Sequence, residues 1–314
     1  MSKFQSIFGF LLMGVLTFGV VSCEDDEMVD PDPEPMSIAE IAAGDDQFST
    51  LVAALERVNL VSVLDGAGNF TVFAPTNTAF QALGVDLSTI SDADLTEILL
   101  YHVLGGKVAS TDLQVGQTYA TTAAETGPGN KQLSILIEKN AGGVVTVNGS
   151  SKVTTADVEA TNGVIHIVDG VLLPLDVVGH AAANSNFTEL VGALGAANGN
   201  LVSTLQGEGP WTVFAPLNSA FEAISGVVAG LNADQLASVL TYHVVAGANV
   251  VAGDLTDGMM VTTVQGEDFT VNIDGANVTI TDANGGVSTV VLTDVQATNG
   301  VIHVLNAVII PMNL

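Results

Sequence analysis

The chain has 314 residues, 48% of them apolar, which is enough for two domains that each bury a core of their own. Thirty-four Asp and Glu stand against 6 Lys and Arg, a formal net charge of -28, and no Lys or Arg occurs between Leu175 and Leu314. This balance excludes binding to phosphate backbones, so nucleic acid is not expected among the partners, and the apolar content excludes an intrinsically disordered chain.

The first elements are processing signals. Lys3 provides a positive n-region, Phe4 to Phe18 an apolar stretch, and Ser22-Cys23 a small-residue boundary, so residues 1–22 read as a signal peptide too short to span a membrane stably. Cys23, the only cysteine, sits in "VVSC" and is followed by "EDDE", a stretch that resembles a bacterial lipobox and makes Cys23 the expected lipidation site. Acyl chains there would hold the protein on a membrane without a transmembrane helix. Residues 23–36 then read as lipidated Cys and tether: acids alternate with prolines in "EDDEMVDPDPEPM", extended at roughly 3.1 Å per residue where polyproline-like. An acidic run behind a lipidated Cys resembles the surface-export signals of Bacteroidetes lipoproteins, which implies an exported protein anchored in the outer membrane and exposed at the surface.

From residue 37 onward the chain is written twice. "FSTLVAAL" (48–55) returns as "FTELVGAL" (187–194), "TVFAPTNTAF" (71–80) as "TVFAPLNSAF" (212–221), and "ATNGVIH" (160–166) recurs letter for letter at 297–303. A period near 140 residues is too long for a solenoid and predicts two self-contained domains, 37–174 and 175–314, with almost no linker and therefore in contact or nearly so. In each copy the pattern predicts a helix over the Phe48 or Phe187 stretch and a short strand ending at Pro75 or Pro216. Asn77 or Asn218 is then placed to cap the next helix, and a further helix opens at Ser91-Asp92 or Asn232. Strands follow in "KQLSILIEK", "GGVVTVNG" and "GVIHIVDGVLLP", and in "EDFTVNIDGANVTITDANG" and "GVIHVLNAVIIP". Helices early and strands late predict an α+β fold with short helices packed on an antiparallel sheet.

Four histidines recur in register. Leu95, Ile98, Leu99 and His102 share one helical face, as do Leu236, Val239, Leu240 and His243, while His166 and His303 alternate with Val164/Val168 and Val301/Leu305 on strands. All four are expected in or near the core and neutral. Carboxylate or Cys ligands at fixed spacing, HxH and HExxH are all missing, so no metal site and no cofactor are expected, and "DANGG" (282–286) offers oxygens for weak Ca2+ binding at most. Asn162-Gly163 and Asn299-Gly300 read as turns able to take positive φ ahead of a core strand. No GxSxG, P-loop or GxGxxG pattern is present, and catalysis is not expected.

The blocks "TVFAPTNTAF" and "TVFAPLNSAF", the pairs Tyr101-His102 and Tyr242-His243, and "NGVIHIVDGVLLP" with "NGVIHVLNAVIIP" resemble the signature blocks of fasciclin (FAS1) domains, in order and twice. The resemblance implies two tandem FAS1-like domains, each a β-wedge with a layer of short helices, displayed on cells or in matrix. It implies adhesion to, or binding of, an extracellular or cell-envelope protein or polysaccharide, with the membrane engaged through the lipid anchor only. Tyr101, His102, Tyr242 and His243 are the candidate adhesion motif by that likeness, and Asn77, Asn218, Asn162, His166, Asn299 and His303 the structural motif. Leu217 in place of Thr76, and "LNA" in place of "VDG", set the second copy apart. The alternative reading is a carrier for a small apolar pigment or lipid held between helices and sheet.

Overall fold

The structure is a computed structural model that describes residues 35–314. The leader 1–22, Cys23 and the tether as far as Glu34 lie outside the described residues. The tether's last residue is already tied down, since Thr161 N–H donates to Met36 O at 2.9 Å.

The first lobe runs α1 (Ile38–Ala43), α2 (Ser49–Arg57), α3 (Val61–Asp65), β1 (Phe70–Pro75), α4 (Asn77–Leu83), α5 (Asp92–Tyr101), β2 (Val103–Leu104), β3 (Gly116–Thr121), β4 (Ser134–Lys139), β5 (Val145–Val147), β6 (Ser151–Ala160) and β7 (Gly163–Val168). The second repeats it as α6 (Val177–Ala183), α7 (Thr188–Ala196), α8 (Leu201–Leu205), β8 (Trp211–Pro216), α9 (Asn218–Ala223), α10 (Ser225–Val228) and α11 (Ala233–Tyr242). There follow β9 (Val244–Ala246), β10 (Met259–Thr262), β11 (Asp268–Asp274), β12 (Asn277–Thr281), β13 (Val287–Ala297) and β14 (Gly300–Leu305). Helix starts follow from side-chain caps: Ser37 and Glu40 form a capping box on α1, Ser91 accepts from Asp94 N–H on α5, and Asn232 with Gln235 forms a second capping box on α11.

Each sheet has seven strands, in the order β2-β1-β7-β6-β5-β4-β3 and its equivalent β9-β8-β14-β13-β12-β11-β10. The sheet bends until its edges nearly meet: Ala123 N–H reaches Val103 O at 2.8 Å, and Val264 N–H reaches Val244 O at 2.8 Å. The expectation of a purely antiparallel sheet is corrected here, because β1 pairs with β7, and β8 with β14, in parallel. These central strands are covered on both faces and therefore read as unbroken apolar runs instead of alternating ones.

Two cores per lobe result. Val72, Ala74 and Ile165 face the helices beside Phe48, Leu51 and Leu99, whereas Phe73, Ile135, Val147 and Val168 fill the inside of the wedge with Tyr101. The second lobe divides in the same way, with Phe187, Leu190 and Ile302 under its helices and Phe214, Phe269 and Ile280 within its wedge.

Candidate functional site

The tyrosine-histidine pairs lie at the ends of α5 and α11, inside the lobes. Tyr101 and Tyr242 are 0% exposed and His102 and His243 2%. Tyr101 Oη donates to Ser134 O at 2.9 Å and accepts from Asn148 Nδ2 at 3.0 Å; Tyr242 Oη donates to Asp268 O and accepts from Ala283 N–H. Burial raises the Tyr101 pKa above the usual phenol range. His102 Nδ1 sits 2.7 Å from Ile98 O, and its Nε2 accepts from Leu172 N–H at 2.9 Å. His243 makes the same two bonds, to Val239 O at 2.8 Å and from Ile309 N–H at 3.1 Å. Only a neutral ring protonated at Nδ1 satisfies both partners. Burial accordingly pushes both histidines down to about 4. In this geometry the pairs tie helix, sheet and the segment after the last strand together and present no surface to a partner.

His166 and His303 are neutral rings of the other tautomer. Nε2 of each faces a carbonyl, Val108 O at 2.9 Å and Val250 O at 2.8 Å, while Nδ1 accepts from Asp157 or Asp294 N–H. Those two aspartates have positive φ, 60° and 62°, at the bulges of β6 and β13. The strand histidines thus hold an irregular backbone in place, packed on Phe73 and Phe214.

The asparagines do different work from that expected. Asn162 Oδ1 accepts from Ile38 N–H at 3.0 Å, and its Nδ2 donates to Leu64 O and Gly66 O; Asn299 does the same with Val177, Leu205 and Gly207. Neither asparagine, nor the glycine after it, has positive φ. Gly163 and Gly300 are required because a Cβ there would collide with Phe70 O or Trp211 O on the parallel neighbour strand. Asn77 and Asn218 do not cap their own helices: Thr76 caps α4, and Leu217 gives α9 no side-chain cap. Each instead accepts from the start of a neighbouring helix, Thr50 N–H of α2 or Glu189 N–H of α7, at 2.9 Å. Phe48 and Phe187, the residues before those helices, have no side-chain oxygen with which to cap them.

In the 282–286 loop, Asp282 Oδ1 accepts from Asn284 and Gly286 N–H, and Oδ2 from Ile310 N–H. These carboxylate oxygens fasten the loop to the C-terminal segment and face donors, not an ion. Among the described residues no group of three or more potential ligands comes together. Between helices and sheet lie voids of about 70 Å³ in the first lobe and about 30 and 50 Å³ in the second, all lined mainly by apolar side chains. A pigment or lipid needs several hundred Å³.

One buried histidine escaped the sequence reading. His180 of α6 is 0% exposed at the junction of the lobes, 5.7 Å from the Tyr119 ring of β3, with neither ring nitrogen hydrogen-bonded. Burial pushes it down to about 4, the nearby Gln296 backbone offsetting only part of the shift. Around it the lobes are joined by Gln296 N–H to Ser134 Oγ at 2.9 Å, Asn184 Nδ2 to Tyr119 Oη at 3.1 Å, and Gln117 to Ser185 and Asn186. The signal was a mismatch: aligned at an offset of 139, His180 stands where the first copy has Ile41.

The chain matches the family model of the Fasciclin domain at residues 46–174 and again at 185–311. It is 44% identical over 144 residues to protein sll1483 of Synechocystis, covering 44% of this chain and 74% of that protein. It is 31% identical to transforming growth factor-beta-induced protein ig-h3 of Sus scrofa, covering 91% of this chain and spanning 39% of the relative's length. A solved FAS1 domain pair of the insect cell adhesion molecule fasciclin I covers 83% of this chain and 92% of its own, at 19% identity and a TM-score of 0.49.

Proposed function

The chain belongs to the fasciclin domain family, and on that premise we propose that it is a membrane-tethered, non-catalytic surface module that adheres to extracellular or cell-envelope protein or polysaccharide. Fasciclin domains are cell-adhesion-type modules in relatives. The observation that carries the reading is the double family match, spread over both lobes. The internal use of the signature side chains supports it, because residues that hold each lobe together leave its outside free to vary with the partner.

Two lobes in one chain suit weak, repeated contacts, since the second contact becomes intramolecular once the first has formed. Lipidation at Cys23 and the acidic tether would place both lobes off the membrane surface; among the described residues no helix is long and apolar enough to cross it. The carrier alternative places its ligand between helices and sheet, where the voids are far smaller than a pigment or lipid.

The experiment is deletion of the gene, with protease shaving of intact wild-type cells as a second arm, followed by measurement of attachment and aggregation. Reduced attachment in both arms is expected. Unchanged attachment in both would overturn the reading.

A further inference from the structure

The two copies differ at one place on the helical layer in a way that leaves an open groove. In the second lobe a cleft of about 410 Å³ runs between α7, α9, α10 and the start of α11, lined by Gly192, Ala196 and Val228 together with the exposed Glu189 and Glu222. In the first lobe Arg57, at the end of α2, lies across the corresponding position. Its guanidinium donates to Leu87 O and Ile90 O, both at 2.7 Å, and pairs with Asp92 at 2.6 Å.

Aligned residue by residue, Ala196 stands where the first copy has Arg57, Gly192 where it has Ala53, and Val228 where it has Leu87, so three side chains are smaller. Glu189 stands for Thr50 and Glu222 for Gln81, so two neutral positions have become acidic, while Ser225 for Gly84 is a small enlargement. The missing arginine is not needed to hold α7 to α11, because Asn198 does so by donating to Asp234 Oδ1 at 2.7 Å and to Ala233 O at 3.2 Å. The second lobe thus lacks the arginine of the first where the cleft opens, and the cleft gains Glu189 and Glu222 while Asp92, the partner of Arg57, is replaced by Ala233. With no Lys or Arg between Leu175 and Leu314, the lobe itself carries no cation to occupy it.

We propose that this groove is the docking site for an arginine-bearing, basic peptide segment of a partner protein. Arg57 is the internal template for the ligand. A planar guanidinium packs flat on small side chains and donates in a fork to carbonyls at the end of a helical turn, which a lysine ammonium cannot copy. Glu189 and Glu222 steer it and select against acidic segments. The inference rests on the binding-module reading and names its partner class.

The test uses the full chain and the peptide acetyl-Gly-Ala-Arg-Ala-Gly-amide, with the same peptide carrying neutral citrulline for arginine as control. Backbone amide shifts are followed by NMR as the peptide is added. Saturable shifts confined to Gly192, Ala193 and Ala196 and their neighbours are expected, at least tenfold weaker with citrulline. They should be abolished in Ala196→Arg, which restores the arginine of the first copy, and weakened threefold or more in Glu189→Gln/Glu222→Gln. Shifts spread over both acidic lobes and unchanged in Ala196→Arg would show only general attraction to a negative surface and would overturn the proposal, as would equal binding of the citrulline peptide or no binding. Attachment of wild-type and gene-deleted cells is scored separately, so the groove can fail while the adhesion reading stands.

Discussion

At the scale of single residues, the phrase "ATNGVIH" shows how little of a motif need be chemistry. Asn162 satisfies one N–H and two carbonyls that end α3 and begin α1, groups about a hundred residues away in sequence. Asn162→Ala, or Asn299→Ala in the other lobe, leaves all three without that partner. Each is expected to cost about 2 to 4 kcal/mol in urea unfolding. Gly163→Ala tests the other half of the dipeptide: its methyl group meets the backbone of Phe70, which cannot move without opening the β1–β7 pairing. That variant should lose at least about 3 kcal/mol or fail to fold, whereas a turn glycine of positive φ at the surface, such as Gly84, should tolerate alanine at a cost of about 1 kcal/mol. Equal losses at Gly163 and Gly84 would contradict the close-approach explanation.

At the scale of elements, the helix starts depend on neighbours as much as on their own sequence. Asn77→Ala removes the acceptor for Thr50 N–H and so uncaps α2 from outside, with an expected loss of about 1 kcal/mol by thermal or urea unfolding, comparable to Thr76→Ala, which removes the cap of α4. No loss would mean that water serves α2 equally well. The α2, α5, β1 and β7 segments and their second-lobe equivalents were legible because their apolar periods are strong. β3, β6, β10 and β13 were not: β3 and β6 leave Thr118, Thr121, Lys152 and Thr154 in water, β10 is four residues long, and β13 exposes Val287, Val291 and Leu292, so none shows a clean apolar period; β6 is also broken by the bulge at Asp157. Asn77 was legible as a capping residue but not as the cap of a different helix, since its partner lies 27 residues away and nothing local marks it. The parallel pairing of β1 with β7 was hidden for the same reason, although the unbroken apolar runs "FTVFAP" and "GVIHIV" were the available sign.

At the scale of the whole molecule, the duplication fixed the number of lobes, while the joint between them arises from departures from it: His180 where Ile41 stands, set against Tyr119, whose pKa burial raises to about 12. The folded protein keeps His180 neutral down to about 4, whereas the unfolded chain takes up the proton near 6.5. Its contribution is therefore intact above pH 6.5 and is lost as pH falls from 6.5 toward 4, at up to about 1.4 kcal/mol per pH unit. His180→Phe keeps the ring and removes the proton site, so the variant should lose about 2 kcal/mol less than wild type between pH 7 and pH 5 in urea unfolding. Identical pH slopes would show that the joint does not feel this residue. The same logic, extended over both lobes, holds the account together: the shared signature side chains are internal fastenings, so the binding proposed for this protein is assigned to the outer surfaces where the copies diverge. Nitrogen-15 NMR of the imidazoles tests this most directly. At pH 7.5, His102 and His243 should be protonated at Nδ1 and His166 and His303 at Nε2, and the signals of His102 and His243 should stay unmoved as the pH is lowered to 5. A His102 or His243 that titrates near 6.5 while the protein stays folded would place the signature residues at a wet surface and contradict the account.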